Sequence, residues 1–528
     1  MSALGGQPQE CPLLAQSGDL RASRSREPIR PFPYPLTGKT IRDSLRSCWG
    51  AAMKNVVLAI ASMMMLGGAA PAPSYSDLPM GKLTPDQMVF RGLYKELVET
   101  NTTLSSGSCT EAAAKVAAHL KEAGFPAGDI TQFTAPGHSK EGGLVAFLPG
   151  ASPALKPILL LAHLDVVEAK RSDWVRDPFK LVEENNYFYA RGASDDKAMA
   201  AIWIDAIMRF KRANYHPRRG IRMALTCGEE TIGAFNGAQW LAANRPDLLA
   251  AEFALNEGGG GRTNGHGKLM VQTMQVGEKT AQDYRIETFN AGGHSSIPVR
   301  DNAIYELSAA LLKIRDHEFP LKLTDTTRVY FAQAGAAEGD AMGKAMVALS
   351  KDPNDGAAEA LVSTDRNYHS MLRTTCVATL LSGGHADNAL PQHAEATVNC
   401  RIFPGETIEE TAATLTKVMG DAKVKLTAEK PRGPLARPVT LDQNVLDPAR
   451  ALVAKYFPHV PLIPTMSTGA TDGIFLEAIG IPTYGVPGGW NDPDLNGIHG
   501  LNERKSTRSL FVGRDFLTDL VKAYAEAG

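Results

Sequence analysis

At 528 residues, with 44% hydrophobic and 21% charged residues, the chain has the make-up of a globular protein large enough for more than one domain. A formal net charge of -2 gives no reason to expect nucleic acid or an anionic membrane as partner.

Residues 1–52 are rich in Arg, Pro and Ser and show no apolar periodicity. Met53, Lys54 and Asn55 then precede an apolar run over 56–66 and small residues over 67–70. That order is the one found in a secretory signal peptide, and the run is short for a membrane span. The reading is a leader and signal peptide over 1–72, with Met53 as an alternative start and cleavage around Gly68–Pro73. It places the protein in the periplasm or outside the cell, with no stable membrane span afterwards. The cysteines beyond it, Cys109, Cys227, Cys376 and Cys400, have no CxxC spacing. Buried free thiols are expected, with a Cys376–Cys400 bridge as the alternative if the two stand on neighbouring strands.

From about Pro85 helical and strand-like segments alternate. Residues 112–123 predict a helix, 158–162 a strand apolar on both faces, and 202–212 a helix in which Met199, Trp203, Ile207 and Phe210 recur at helical spacing. Residues 221–226 and 252–255 predict further strands. The fold class implied is α/β: a doubly wound, mixed or mostly parallel sheet. Near Gly277 the rhythm changes. Strands over 284–290, 373–381, 395–403 and 423–429 and helices over 302–317 and 408–419 follow the order β-α-β-β-α-β of a ferredoxin-like α+β unit. The Ala/Gly-rich stretch 333–370 reads as an insertion of no assigned structure. After Pro431 the α/β rhythm resumes to the end. The expected organisation is a catalytic zinc domain in two parts, 80–278 and 431–528, interrupted by a lid or dimerisation domain over 279–430.

Five short stretches carry residues able to hold zinc: His163 and Asp165 in LLLAHLD, Asp195 and Asp196 in GASDDK, Glu229 and Glu230 in CGEE, Glu257 in ALNEGGGG, and His499 in NGIHG. Three of them directly follow a strand-like run, and ligands in open α/β sheets lie beyond the carboxyl ends of the strands. A pair of close metal ions needs a nitrogen and a carboxylate each, a bridging carboxylate, and a free carboxylate to move protons. Asp165 lies on the same side of an extended chain as His163, where it can orient the imidazole. Taken singly, Asp196 reads equally well as a helix cap and the Glu pair as first-turn acids. The glycine run 258–261 lacks the Lys-Ser/Thr ending of a phosphate loop.

HLD, YARGASDDK, the paired glutamates and GGHSS together resemble the zinc exopeptidases of peptidase family M20: carboxypeptidases, aminoacylases, dipeptidases and succinyl-diaminopimelate desuccinylase. The resemblance spans about 85–528. It implies that Asp195 bridges two Zn2+, with Co2+ or Mn2+ as substitutes. His163 and Glu257 would complete one metal site, and Glu230 and His499 the other. It further implies a cis Asp195–Asp196 peptide, Glu229 as general base, and His294 as a lid histidine often supplied by a partner subunit. Asn388, Arg401 and Gly469 would meet the substrate, Arg401 at a carboxylate. Ala198 departs from the family's usual Gly, and the histidine motif around His499 is loose, with Glu503 as a nearby polar alternative. Trp174 reads as structural or pocket-edge. The function implied is hydrolysis of a peptide or N-acyl amide next to a C-terminal amino acid. Carboxypeptidase activity is the first choice, aminoacylase or dipeptidase the alternative, and a non-catalytic binding protein the remaining one. A homodimer through the lid is an expected assembly.

Overall fold

A computed structural model describes residues 80–527, apart from 232, 265 and 266. The signal peptide expected within 1–72 lies outside the described residues. A mixed sheet of ten strands carries the main core. At its centre Ile158–His163 runs parallel to Ile221–Thr226 on one side and to Ala254–Asn256 on the other, and Thr483–Gly485 continues the parallel set. Every residue of Ile158–His163 is buried, as a strand covered on both faces requires. The outer strands Gly143–Leu148 and Leu269–Glu278 join antiparallel, so the sheet is mixed around a parallel centre.

The helix Lys197–Arg212 begins directly after Asp196, five residues earlier than its apolar spacing suggests. It lies against the sheet through Trp203, whose Nε1 donates to the Leu161 carbonyl at 3.0 Å. The closing helix Thr507–Glu526 buries Leu510, Phe511, Leu517, Leu520 and Val521 in the same core.

Leu269–Glu278 is absent from the sequence reading because buried polar residues interrupt its apolar pattern on both faces. Gln272, Gln275 and Glu278 are all buried, and Gln272 Oε1 accepts the Gly488 N–H at 3.0 Å. At Gly277 the backbone takes φ +95, a left-handed conformation that glycine adopts without steric cost, and the chain passes into Thr280–Phe289 of a second sheet. That sheet has four antiparallel strands in the order Thr375–Gly383, His393–Ile402, Thr280–Phe289, Lys425–Ala428. Ala303–Asp316 and Ile408–Met419 cover one face around Tyr284, Ile286, Val398 and Leu415. Its edge strand Thr375–Gly383 leaves Val377, Leu380 and Leu381 exposed.

The stretch 333–370 is helical: Asp325–Glu338, Ala341–Lys351, Gly356–Val362 and Arg366–Met371. Tyr330, Phe331, Met346 and Leu349 share a core with Val271 and Ile463, so these helices pack on strands of the main sheet. The expectation of free thiols is overturned at all four cysteines. Cys109 bonds Cys227 across 118 residues, and Cys376 bonds Cys400. The second pair stands opposite on neighbouring strands. The first depends on the start of the helix Cys109–Glu122 meeting the end of Ile221–Thr226, a contact with no local signature.

Candidate metal centre

His163 closes the central strand, and its side chain is 2% exposed. Its Nδ1 lies 3.1 Å from the Asp165 carbonyl oxygen and 3.5 Å from the Asp165 carboxylate. The other Asp165 oxygen accepts the Glu230 backbone N–H at 3.0 Å, so one carboxylate ties the HLD loop to the CGEE loop. Burial pushes the Asp165 carboxyl up, but the facing imidazole and the backbone N–H groups of Glu230 and Gly228 outweigh it and hold the group below its ordinary value.

Asp195 stands between the two imidazoles. Its Oδ1 is 3.2 Å from His163 Nε2, and its Oδ2 is 3.3 Å from His499 Nε2. Glu257 faces His163 Nε2 at 3.7 Å, and Glu230 faces His499 Nε2 at 2.8 Å. Glu229 has an oxygen within 4.8 Å of ligand atoms of both His163 and Glu257, yet makes no hydrogen bond or ion pair of its own among the described residues. The Asp195–Asp196 peptide is cis, as the resemblance implies. His499 takes φ +61, a left-handed region uncommon for non-glycine residues, though histidine is among the types enriched there.

The loop bearing Asp195 is clamped from below. Glu503 is 1% exposed and accepts N–H groups from Gly192, Ser194 and Asp195 at 3.1, 2.8 and 3.0 Å. It also pairs with Arg191 at 2.7 Å. Glu503 is therefore turned away from the imidazoles and is not the alternative ligand. Trp174 packs under the Arg191 guanidinium at 5.1 Å, a structural role. On the far side of the cluster Asp472 accepts Thr226 Oγ1 at 2.7 Å and Asn236 Nδ2 at 2.6 Å, fixing the GATDG turn. Sequence inspection missed these supports. Their only local trace is a polar residue beside a motif, and Arg191 and Glu503 lie 312 residues apart.

The remaining site residues belong to the second sheet and the turn. His294 is exposed; its Nδ1 accepts the Ser296 N–H at 3.1 Å, and among the described residues it touches none of the clustered carboxylates. Asn388 lies beside it, its carbonyl accepting the Ser295 N–H at 3.1 Å. Arg401 stands opposite Ala281 in the sheet, and its side chain carries no hydrogen bond or ion pair among the described residues. Burial lowers its pKa, as does neighbouring Arg432, while Asp283, Glu229 and Glu278 act on it in the opposite sense. Gly469 follows Leu462–Ser467, and its N–H donates to Ser467 Oγ at 3.0 Å.

The family's profile covers residues 159–523, most of the chain and every clustered carboxylate and imidazole. The chain belongs to peptidase family M20/M25/M40. It is 29% identical over 437 residues to the N-fatty-acyl-amino acid synthase/hydrolase PM20D1 of Homo sapiens, covering 80% of this chain and 85% of that protein. Aminoacylase-1 of Homo sapiens is 27% identical over 386 residues, 71% of this chain and 82% of that protein. Among solved structures, the M20 family metallo-carboxypeptidase Sso-CP2 from Sulfolobus solfataricus superposes with a TM-score of 0.65 at 18% identity, covering 84% of this chain and 100% of that one. Human carnosine dipeptidase 1 gives 0.60 at 16% identity, covering 83% and 96%. These two share the fold.

M20 hydrolases are generally metal-dependent, and the donors here suit divalent cations. Imidazole nitrogen beside carboxylate oxygen is the set that zinc and its neighbours prefer. The charge balance agrees. Burial pushes the Glu229 and Glu257 carboxyls well above their ordinary value, and the acids around them push further in the same direction. The facing carboxylates Asp195 and Glu230 raise His499 to about 10. A cluster that draws protons onto its imidazoles is one whose excess negative charge divalent cations would balance, since metal binding needs those imidazoles neutral.

Proposed function

We propose that this M20 hydrolase is a dinuclear zinc amidohydrolase that releases an amino acid with a free α-carboxylate. The observation that carries the reading is Asp195, whose two oxygens face two different imidazoles, with Glu229 unpartnered beside them. Asp195 would bridge, His163 with Glu257 would hold one ion, and Glu230 with His499 the other. Zinc bound there would acidify a water to near neutrality and polarise the scissile carbonyl. Glu229, free of any hydrogen bond, takes the proton from the attacking water and returns it to the leaving nitrogen as the C–N bond breaks. Asp165 holds the His163 ring and the Glu230 backbone in register. Arg401, with no ion pair to surrender, receives the substrate carboxylate, and Asn388 and Gly469 line its approach. His294 donates to the developing oxyanion once the second sheet, as a lid, or a second copy of the chain brings it there. The exposed apolar edge at Val377, Leu380 and Leu381 supports a homodimer through that sheet.

Two acyl sides remain: a peptide, as in a carboxypeptidase, or a simple acyl group. The second is favoured by the curated relatives, which include an N-fatty-acyl-amino acid synthase/hydrolase and an aminoacylase. Export through the leader at 53–72 is supported by the two disulfides, which persist in oxidising compartments. No helix among the described residues is long and apolar enough to cross a membrane. The test is metal content per chain with a panel of N-acyl amino acids, dipeptides and longer peptides, for wild type and Glu229→Gln. About two zinc ions in both proteins and turnover reduced by about 10²–10⁴ in the variant are expected. An active variant overturns the base assignment, and a wild type that neither binds metal nor hydrolyses the panel is a binding protein instead.

A further inference from the structure

A cavity of about 240 Å³ adjoins the cluster, with Asp195, Asp196 and Glu257 in its wall. Ser194, Asn491, Lys505 and Ser509 are also polar, and the other lining residues are apolar or glycine. The helix Lys197–Arg212 starts immediately after Asp196, and its Ala198 and Ile202, one turn apart, both face the cavity. On the closing helix Leu510, Gly513 and Leu517 recur at three- and four-residue spacing, a stripe roughly 10 Å long at the rise of an α-helix. Ile202, Leu510 and Leu517 are 5%, 0% and 3% exposed, so the cavity penetrates the core and is not a surface dimple. Its volume survives because glycines meet there. A Cβ on Gly513 would have the backbone of Gly488 and Gly489 as its nearest neighbours, at 3.6–3.7 Å, an ordinary contact distance. Close-packed interiors keep few voids of this size, and an apolar one beside polar machinery is a costly feature to retain without an occupant.

Arg401, the residue proposed to take the substrate carboxylate, is not in the cavity wall, whereas Asp195 and Glu257 are. An N-acyl amino acid has this polarity: a carboxylate at one end, the amide in the middle, and an apolar tail at the other. We propose that this cavity receives the acyl chain of an N-acyl amino acid whose amide lies at the carboxylate cluster, an inference that rests on the amidohydrolase reading above.

The zinc-loaded enzyme is assayed on N-acetyl, N-octanoyl and N-dodecanoyl derivatives of one amino acid, and its binding of decanoate is measured by calorimetry. In the wild type kcat/KM should rise from acetyl to octanoyl by at least about tenfold, since each buried methylene contributes. Gly513→Leu, which places a side chain in the cavity, should collapse the octanoyl-to-acetyl ratio towards one and abolish decanoate binding. Gly513→Ala should give an intermediate ratio. Leu517→Phe, which narrows the cavity from another turn of the helix, should give the same collapse if Gly513→Leu does not fold. A ratio and a decanoate affinity unchanged in the filled variants overturn the cavity assignment while leaving the amidohydrolase reading intact. Decanoate binding that Gly513→Leu removes, in a protein that hydrolyses no member of the panel, upholds the cavity and overturns the amidohydrolase reading.

Discussion

The loops at the ends of the parallel strands and the second antiparallel sheet make opposite contributions. In the first, His163, Asp195, Glu230, Glu257 and His499 are within reach of one another in a single chain, and Asp165 and Glu503 hold their loops from behind. Beside the second, His294 and Asn388 sit together, both exposed, where Gly293–His294 pairs with Ala389–Leu390, and His294 touches none of the clustered carboxylates among the described residues. On the proposed reading, the first region holds a complete set of metal donors, while the second would need a movement or a second copy to meet the substrate. The two halves should respond differently to damage.

The largest difference should be in stability. Cys109–Cys227 closes a span of 118 residues and joins the first helix layer to the residue before Gly228 and Glu229, whereas Cys376–Cys400 closes 24 residues within one sheet. Replacing the first pair by serine should cost about 4–5 kcal/mol and the second about 3 kcal/mol by loop-closure entropy, read from denaturant unfolding. Equal losses would mean that loop length does not govern the effect. Next, His294→Ala should lower kcat by about 10²–10³, as loss of an oxyanion donor does, with zinc content unchanged. A fall in zinc content would put His294 in the metal half and break the comparison.

Glu503→Gln keeps the shape of the clamp but replaces one carboxylate acceptor with an amide nitrogen facing backbone N–H groups. Zinc affinity should fall about 10–100-fold, measured by competition with a chelator, as for other supports behind a ligand. A purely structural role would instead lower the melting temperature at saturating zinc and leave the affinity alone. The smallest effect concerns pH. Burial and nearby Glu477 raise the Glu278 carboxyl to about 8, even though Thr471 and Gln275 donate to it. The folded protein therefore holds this proton more tightly than the unfolded chain. The stabilisation is complete below about 4.5 and is lost as pH rises towards 8. Glu278→Gln should flatten that decline in unfolding curves taken across the range. An unchanged slope would assign the pH dependence to other groups.

The parallel centre and four of the clustered residues were legible because they stand at or within four residues of a strand end: His163 ends the 158–163 strand, Glu229 and Glu230 follow 221–226, and Glu257 follows 254–256. Periodicity reveals such strands, and the geometry of open sheets then places their ends together. The split β-α-β-β-α-β order was legible for the same local reason. Leu269–Glu278 was not, since Gln272, Gln275 and Glu278 interrupt its apolar pattern, Gln272 bonding distant backbone and Gln275 bonding Glu278.

The sequence by itself determined which residues could hold metal and which strands would carry them, because strand and motif are neighbours in the chain. Only the tertiary structure decided that Glu503 holds the Asp195 N–H from behind the cluster, that the four cysteines pair, and that Gly489 and Gly513 line a cavity beside the cluster. Each of those depends on segments far apart in the chain meeting in space, and hydrophobic periodicity carries no record of such meetings.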